Sequence, residues 1–121
     1  MSSRRIVPAA CAAAVALLCA APAVAGGPKP KRVEVADNYY LPDKLTVKKD
    51  TKVRWVWPED EAIDVHDVKL KKGPKGVRKF HSEPASSGYE YKRTFKKPGT
   101  YAIVCTLHEE MVMTIKVKRS S

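Results

Sequence analysis

The chain has 121 residues, enough for one modest hydrophobic core and too few for a multidomain assembly. Its 23 Lys and Arg stand against 13 Asp and Glu, a formal net charge of +10. Such a balance favours acidic partners, anionic membranes or nucleic acid, with simple solubility as the plain alternative.

The first element is not part of a fold. Arg4 and Arg5 precede an apolar run, Ala9 to Ala20, and Ala23-Val24-Ala25 has the small residues of a cleavage site. The run is too short to span a bilayer, so residues 1–25 read as a secretory signal peptide cut after Ala25. Ser3-Arg4-Arg5 leaves open whether export uses the twin-arginine or the general route. Export to the periplasm, cell envelope or medium removes nucleic acid from the list of partners. Losing Arg4 and Arg5 brings the formal charge to about +8. Cys11 and Cys19 leave with the signal, and Cys105 is then the only thiol. Exported domains usually pair their cysteines. An unpaired one is inert and buried, a dimer link, a metal ligand or a nucleophile.

Residues 26–31, GGPKPK, read as a flexible tail ahead of a domain over 32–121. From there the apolar pattern has period two, the signature of strands with one buried face. Val33 and Val35 alternate within 32–36, Leu45 and Val47 within KLTVKK, and Val53, Trp55 and Trp57 within KVRWVW. Further strands are predicted over 65–70, 89–95, 101–105 and 111–118. Lys49-Asp50, Trp57-Pro58, Gly73-Pro74 and Pro98-Gly99 supply turn chemistry between them. Residues 71–88 form one long irregular segment, and no window has helical periodicity. Seven or so short strands at this spacing predict an all-β, antiparallel sandwich or barrel.

The chemistry gathers at the end of the sixth predicted strand. Cys105, His108 and Met111 have the spacing C-x2-H-x2-M, so a strand end and one short loop can turn all three toward a point. A thiolate, an imidazole and a thioether are soft ligands. With a second histidine they make the trigonal His2Cys site with a weak axial methionine that holds copper for electron transfer. His66, inside a predicted strand, and His81, in the irregular segment, are the candidates for that histidine. Zinc is the competing metal, with Asp64, Asp67, Glu109 or Glu110 as a fourth ligand. A cysteine nucleophile would need a groove and an oxyanion hole, which a three-residue Cys–His separation in one loop does not favour. Singly, each residue has a plain alternative: core packing for Cys105 and Met113, a loop histidine for His108.

The stretches YLPDKLTVKKDTKVRW at 40–55, VHDV at 65–68 and KPGTYAIVCTLHEEM at 97–111 resemble the cupredoxins, the plastocyanin and pseudoazurin-like type 1 blue-copper family. The resemblance covers residues 33–118. It implies a Greek-key β-sandwich of about seven to eight strands and one copper ion. His66, Cys105 and His108 would be the strong ligands and Met111 the axial one. It implies a monomeric one-electron carrier, not an enzyme, that meets a redox partner protein; a copper-delivery role is the alternative. Three positions depart from the family pattern. Asp67 stands where an asparagine usually ties the two ligand loops together, Met113 where glycine is frequent, and Glu109-Glu110 where apolar residues or proline are common. The basic run over 69–79 adds an expectation of an acidic partner or an anionic membrane surface.

Overall fold

The computed structural model describes residues 27–119; the signal peptide read at 1–25 lies outside them. Eight strands follow in order: β1 Lys31–Ala36, β2 Tyr39–Leu41, β3 Lys44–Lys48, β4 Thr51–Val56, β5 Lys69–Lys72, β6 Glu90–Phe95, β7 Gly99–Val104 and β8 Val112–Lys118. They form two four-stranded sheets, ordered β2-β1-β4-β6 and β3-β8-β7-β5. No helix occurs among the described residues. The period-two patterns are realised as buried faces: β8 alternates exposed and buried along its whole length, and β4 buries Thr51, Val53 and Trp55.

The sandwich is not wholly antiparallel as the strand spacing predicts. β1 pairs with β4, and β3 with β8, in parallel. The reason lies in the connections. β2 runs back along β1, and the chain then changes sheets at residues 42–43 before β3. The turn at Lys49-Asp50, where Asp50 takes a left-handed φ of 71°, returns β4 to the first sheet in the direction of β1. These crossings between sheets make the Greek-key arrangement.

A second difference concerns the stretch predicted as a strand over 65–70. The regular strand starts only at Lys69. His66 instead makes an isolated bridge with Ala85, donating its N–H and accepting through its C=O at 3.0 Å each way. The irregular segment is therefore pinned. Leu70 N–H bonds Phe80 O at 3.0 Å, Ser82 N–H bonds Val68 O at 2.8 Å, and Phe80 joins the core.

The space between the sheets is filled by Trp55, Trp57, Tyr40, Tyr101, Leu70, Ile103, Ile115 and smaller residues. Trp55 lies within 5.9–6.4 Å, centroid to centroid, of Phe80, Tyr91 and Phe95. Each such side chain contributes about 1.5–3 kcal/mol through burial. Gly99 opens β7 at φ 142°, and a Cβ there would strike the Pro74 ring. That close approach needs glycine, and it seats the strand that carries Cys105.

Candidate metal centre

Three loops meet at one end of the sandwich. Cys105 is the first residue after β7, and the chain then turns through 106–110 to Met111, just before β8. Two backbone bonds close this loop: Cys105 N–H to Met111 O at 2.9 Å and Met111 N–H to His108 O at 3.0 Å. The C-x2-H-x2-M spacing is thus one turn of fixed length. His66 arrives from the connection between β4 and β5, held by Ala85. Asp37 arrives from the turn between β1 and β2.

The donor atoms of three residues face one another. Nδ1 of His66 and Nδ1 of His108 are 3.1 Å apart, and Cys105 Sγ lies 3.8 Å and 3.7 Å from them. A point equidistant from the three lies about 2.1 Å from each (the product of the sides over four times the triangle's area). A divalent ion such as zinc holds nitrogen at about 2.0–2.1 Å and sulfur at about 2.3 Å. A metal ion therefore fits this triangle with little movement. His66 is 0% exposed and Cys105 3%, whereas the His108 side chain is 24% exposed. Met111 is fully buried, and its backbone bonds to Cys105 and His108. Among the described residues this is the one group of three His, Cys, Asp or Glu donors placed to hold an ion.

The residues around the triangle fix its orientation. His66 Nε2–H donates to Asp37 Oδ1 at 3.0 Å, which leaves Nδ1 with a free lone pair. The same carboxylate oxygen accepts the Asp64 N–H at 2.9 Å. The His66 bond, then the Asp64 bond, hold the Asp37 carboxyl below the ordinary carboxylate range. Asp64 Oδ2 in turn lies 4.0 Å from His108 Nε2. Asp67 is buried and ties the two ligand loops: Oδ1 accepts Thr106 N–H at 2.7 Å, and Oδ2 accepts Thr106 Oγ1–H at 2.5 Å. Burial raises the Asp67 carboxyl, but bonds from His81 and Thr106 outweigh it and hold it below the ordinary range. Tyr40 donates its hydroxyl to Asp67 O at 2.5 Å; burial, with Cys105 and Asp67 nearby, pushes its phenol far upward, so it stays a neutral donor.

The structure thus brings His66, Cys105 and His108 together and sets Met111 next to them in the chain fold. It does not bring His81: that ring is half exposed and donates from Nε2 to Asp67 Oδ2 at 2.7 Å. Nor do the acids offered as a fourth zinc ligand enter the triangle. Asp67 is engaged with Thr106 and His81, Asp64 lies on the far side of the His108 ring, and Glu109 and Glu110 are exposed. None of these acids therefore supplies a fourth donor to the triangle, and a methionine thioether in that role would suit copper better than zinc. Met113 pairs with Ile103 across β7 and β8, two residues deeper than Cys105. Asp37 was not visible from the sequence: it lies 29 residues before His66, and Asp37-Asn38 reads only as a turn.

Residues 31–119 match the family described as copper binding proteins of the plastocyanin/azurin family. Solved structures share the fold. Amicyanin from Paracoccus versutus is 30% identical, with 74% of this chain and 81% of that one covered, at a TM-score of 0.63. A reduced amicyanin variant is also 30% identical over 81% of this chain and 89% of that chain, at 0.64. A copper-containing nitrite reductase from Thermus scotoductus is 26% identical over 76% of this chain, at 0.65. The chain spans only 23% of that reductase. No curated protein matches in sequence.

Proposed function

The chain belongs to the plastocyanin/azurin family of copper-binding proteins, and from that premise we propose that it is an exported one-electron carrier. His66, Cys105 and His108 would hold one copper ion, with Met111 as the weak axial ligand. Bound there, copper supplies a one-electron Cu(I)/Cu(II) couple. The observation that carries this reading is the triangle of two Nδ1 atoms and one Sγ with sides of 3.1, 3.7 and 3.8 Å, already of a size to receive an ion.

What the residues contribute follows from their setting. Cys105 must be a thiolate to bind. Asp37 orients the His66 ring and keeps its proton on Nε2. Asp67 fastens the Cys105 loop to the His66 loop, so the ligands change little when the charge at the centre changes. Burial of His66 and Cys105 excludes water and leaves no open position for substrate, which favours electron transfer over catalysis. It also argues against a delivery role, because a metal that must be handed on needs exposed ligands. His108 is the one ligand with an edge toward solvent, and electrons would pass through that edge to a redox partner protein.

The remaining expectations support the same setting. Residues 1–25 would direct export to the periplasm or cell envelope, and the domain would work as a monomer. The run Lys69–Lys79 is the part of the surface suited to an acidic partner or an anionic membrane. Purified residues 26–121 loaded with copper decide between carrier and delivery protein. A carrier shows an intense red-end visible band and reversible one-electron cycling with about one copper per chain. A delivery protein shows weak colour and loses its copper to an acceptor.

A further inference from the structure

The outer faces of the two sheets are charged differently. On the first sheet cations and acids are mixed. Glu34 shares β1 with Arg32, and Glu90 on β6 holds Arg54 at 2.5 Å and Lys92 at 3.7 Å. The strands of the second sheet, β3-β8-β7-β5, contain seven lysines and no Asp, Glu or Arg.

Alternation puts these lysines outside. Val47 on β3 and Met113, Ile115 and Val117 on β8 are buried, so Lys44, Thr46, Lys48, Thr114, Lys116 and Lys118 face out. The register arranges them in rows across the sheet. Lys48 stands beside Lys118, Lys116 lies between Thr46 and Thr100, and Thr114 lies between Lys44 and Ala102, with Lys72 beyond Ala102. Like charges directly opposite, as at Lys48 and Lys118, are destabilising. Among the described residues no acid forms an ion pair with any of the seven. At the end away from the metal centre the basic surface continues into Lys49, Lys97 and Arg119, which share one hollow.

The middle of this face is threonine and alanine, and Val104 and Val112 lie only at its edge toward the metal centre. A protein partner is usually met by an apolar core, and lysine is depleted at such interfaces. Four strands at about 4.8 Å spacing make the face about 15 Å wide. Flexible, strongly hydrated ammonium groups spread over that width suit a fluid array of phosphates better than one fixed site.

We propose that the outer face of β3-β8-β7-β5 docks the protein on an anionic phospholipid bilayer. The proposal rests on the export reading above, and moves the membrane contact from the run Lys69–Lys79 to the sheet. Clusters of about four to eight Lys or Arg are of the size that anionic leaflets attract, within a Debye length of about 10 Å at 0.1 M salt. Strands β7 and β8 run between the metal centre and the far end. A chain lying on this face therefore holds them along the membrane and leaves the His108 edge pointing sideways, clear of lipid. A carrier bound this way would diffuse in two dimensions with its exit uncovered.

The test is flotation of residues 26–121, which include every described residue, with vesicles of phosphatidylglycerol in phosphatidylcholine and of phosphatidylcholine alone. Metal-free and copper-loaded forms are run in parallel, so membrane binding is read even if the copper assignment fails. Both forms should float with the anionic vesicles at low salt, and neither with phosphatidylcholine alone. Binding should be lost at about 1 M salt, where the Debye length is about 3 Å. Lys44→Gln with Lys116→Gln and Lys118→Gln should weaken binding by at least about tenfold. Two triples that remove the same charge elsewhere should weaken it less: Arg32→Gln with Lys52→Gln and Lys92→Gln on the other sheet, and Lys75→Gln with Arg78→Gln and Lys79→Gln in the loop. A second measurement needs no variant: a lipid spin-labelled at its headgroup should broaden the amide signals of Thr46, Thr100 and Thr114 in the native protein. Failure to float with anionic vesicles, a control triple more damaging than the sheet triple, or broadening confined to residues 73–79 would each overturn the proposal. So would binding to soluble polyglutamate without binding to vesicles, which would assign the face to an acidic polypeptide.

Discussion

The Asp67 carboxylate takes both hydrogen bonds that Thr106 offers, from the backbone N–H at 2.7 Å and from the hydroxyl at 2.5 Å, and it is buried while doing so. The residue after one histidine thereby holds the residue after the cysteine. An asparagine at 67 could still accept from the Thr106 N–H through its oxygen, but the NH2 in place of Oδ2 cannot accept from His81 or from the Thr106 hydroxyl.

Asp67→Asn should therefore keep the site assembled and raise its reduction potential, because a fixed negative charge that favours Cu(II) is gone. Asp67→Ala should cost about 1–3 kcal/mol, since buried donors lose their acceptor. The acid limb follows from the sign of the shift. The folded carboxyl lies below its unfolded value of about 3.9, so its stabilisation is present above that pH and is lost as pH falls through the folded value. Acid unfolding of Asp67→Asn should be less steep in pH than that of the native chain. Voltammetry and acid unfolding followed by circular dichroism check both halves; an unchanged potential contradicts the first.

Asp37→Ala should weaken metal binding by about 10–100-fold while leaving the sandwich folded, the range seen when a carboxylate behind a ligating histidine is removed. Asp37 is exposed and in a turn, so no large loss of stability accompanies it. Competition with a chelator measures the affinity, and thermal unfolding of the metal-free form measures the fold. Equal affinity would show that the bond to His66 Nε2 orients nothing.

His66→Ala should abolish the copper site, whereas His81→Ala should keep the visible band and only shift it slightly. The geometry separates them: His66 Nδ1 is 3.8 Å from Cys105 Sγ, while His81 reaches only Asp67. Absorption spectra of the two variants decide it, and the opposite ranking would move the ligand from 66 to 81.

The two methionines give a graded comparison. Met111→Leu should retain copper and raise the potential, because a weak electron-donating contact to Cu(II) is removed. Met113→Leu should act through packing against Ile103 and neighbouring core, at less than about 1.5 kcal/mol. If Met113→Leu moves the potential more, the axial position belongs to Met113.

Much of this architecture was legible in the sequence because strands with one buried face announce themselves by alternation. Val53-x-Trp55-x-Trp57 and Met113-x-Ile115-x-Val117 are buried as their spacing predicts. Tyr39–Leu41 was not legible, since three residues are too few to show a period. The stretch 65–70 was read as a strand because Val65-His66-Asp67-Val68 is β-prone, yet His66 is bonded to Ala85 across a loop that no local pattern foretells. The candidate ligands within 105–111 could be read from spacing alone, because one turn joins them. The supporting residues Asp37 and His81 could not, because their partners lie 29 and 14 residues away in the chain.

The central claim is a copper–thiolate bond at Cys105, and its most direct test is the visible spectrum of residues 26–121 loaded with copper, native against Cys105→Ser. The chain has no other cysteine after residue 25, so no second thiol can substitute. The native domain should show the intense sulfur-to-copper band with about one copper per chain. Cys105→Ser should lose that band entirely and keep the β-sheet circular dichroism of the native fold. A Cys105→Ser protein that remains intensely coloured, or a native domain that binds copper without the band, would contradict the account.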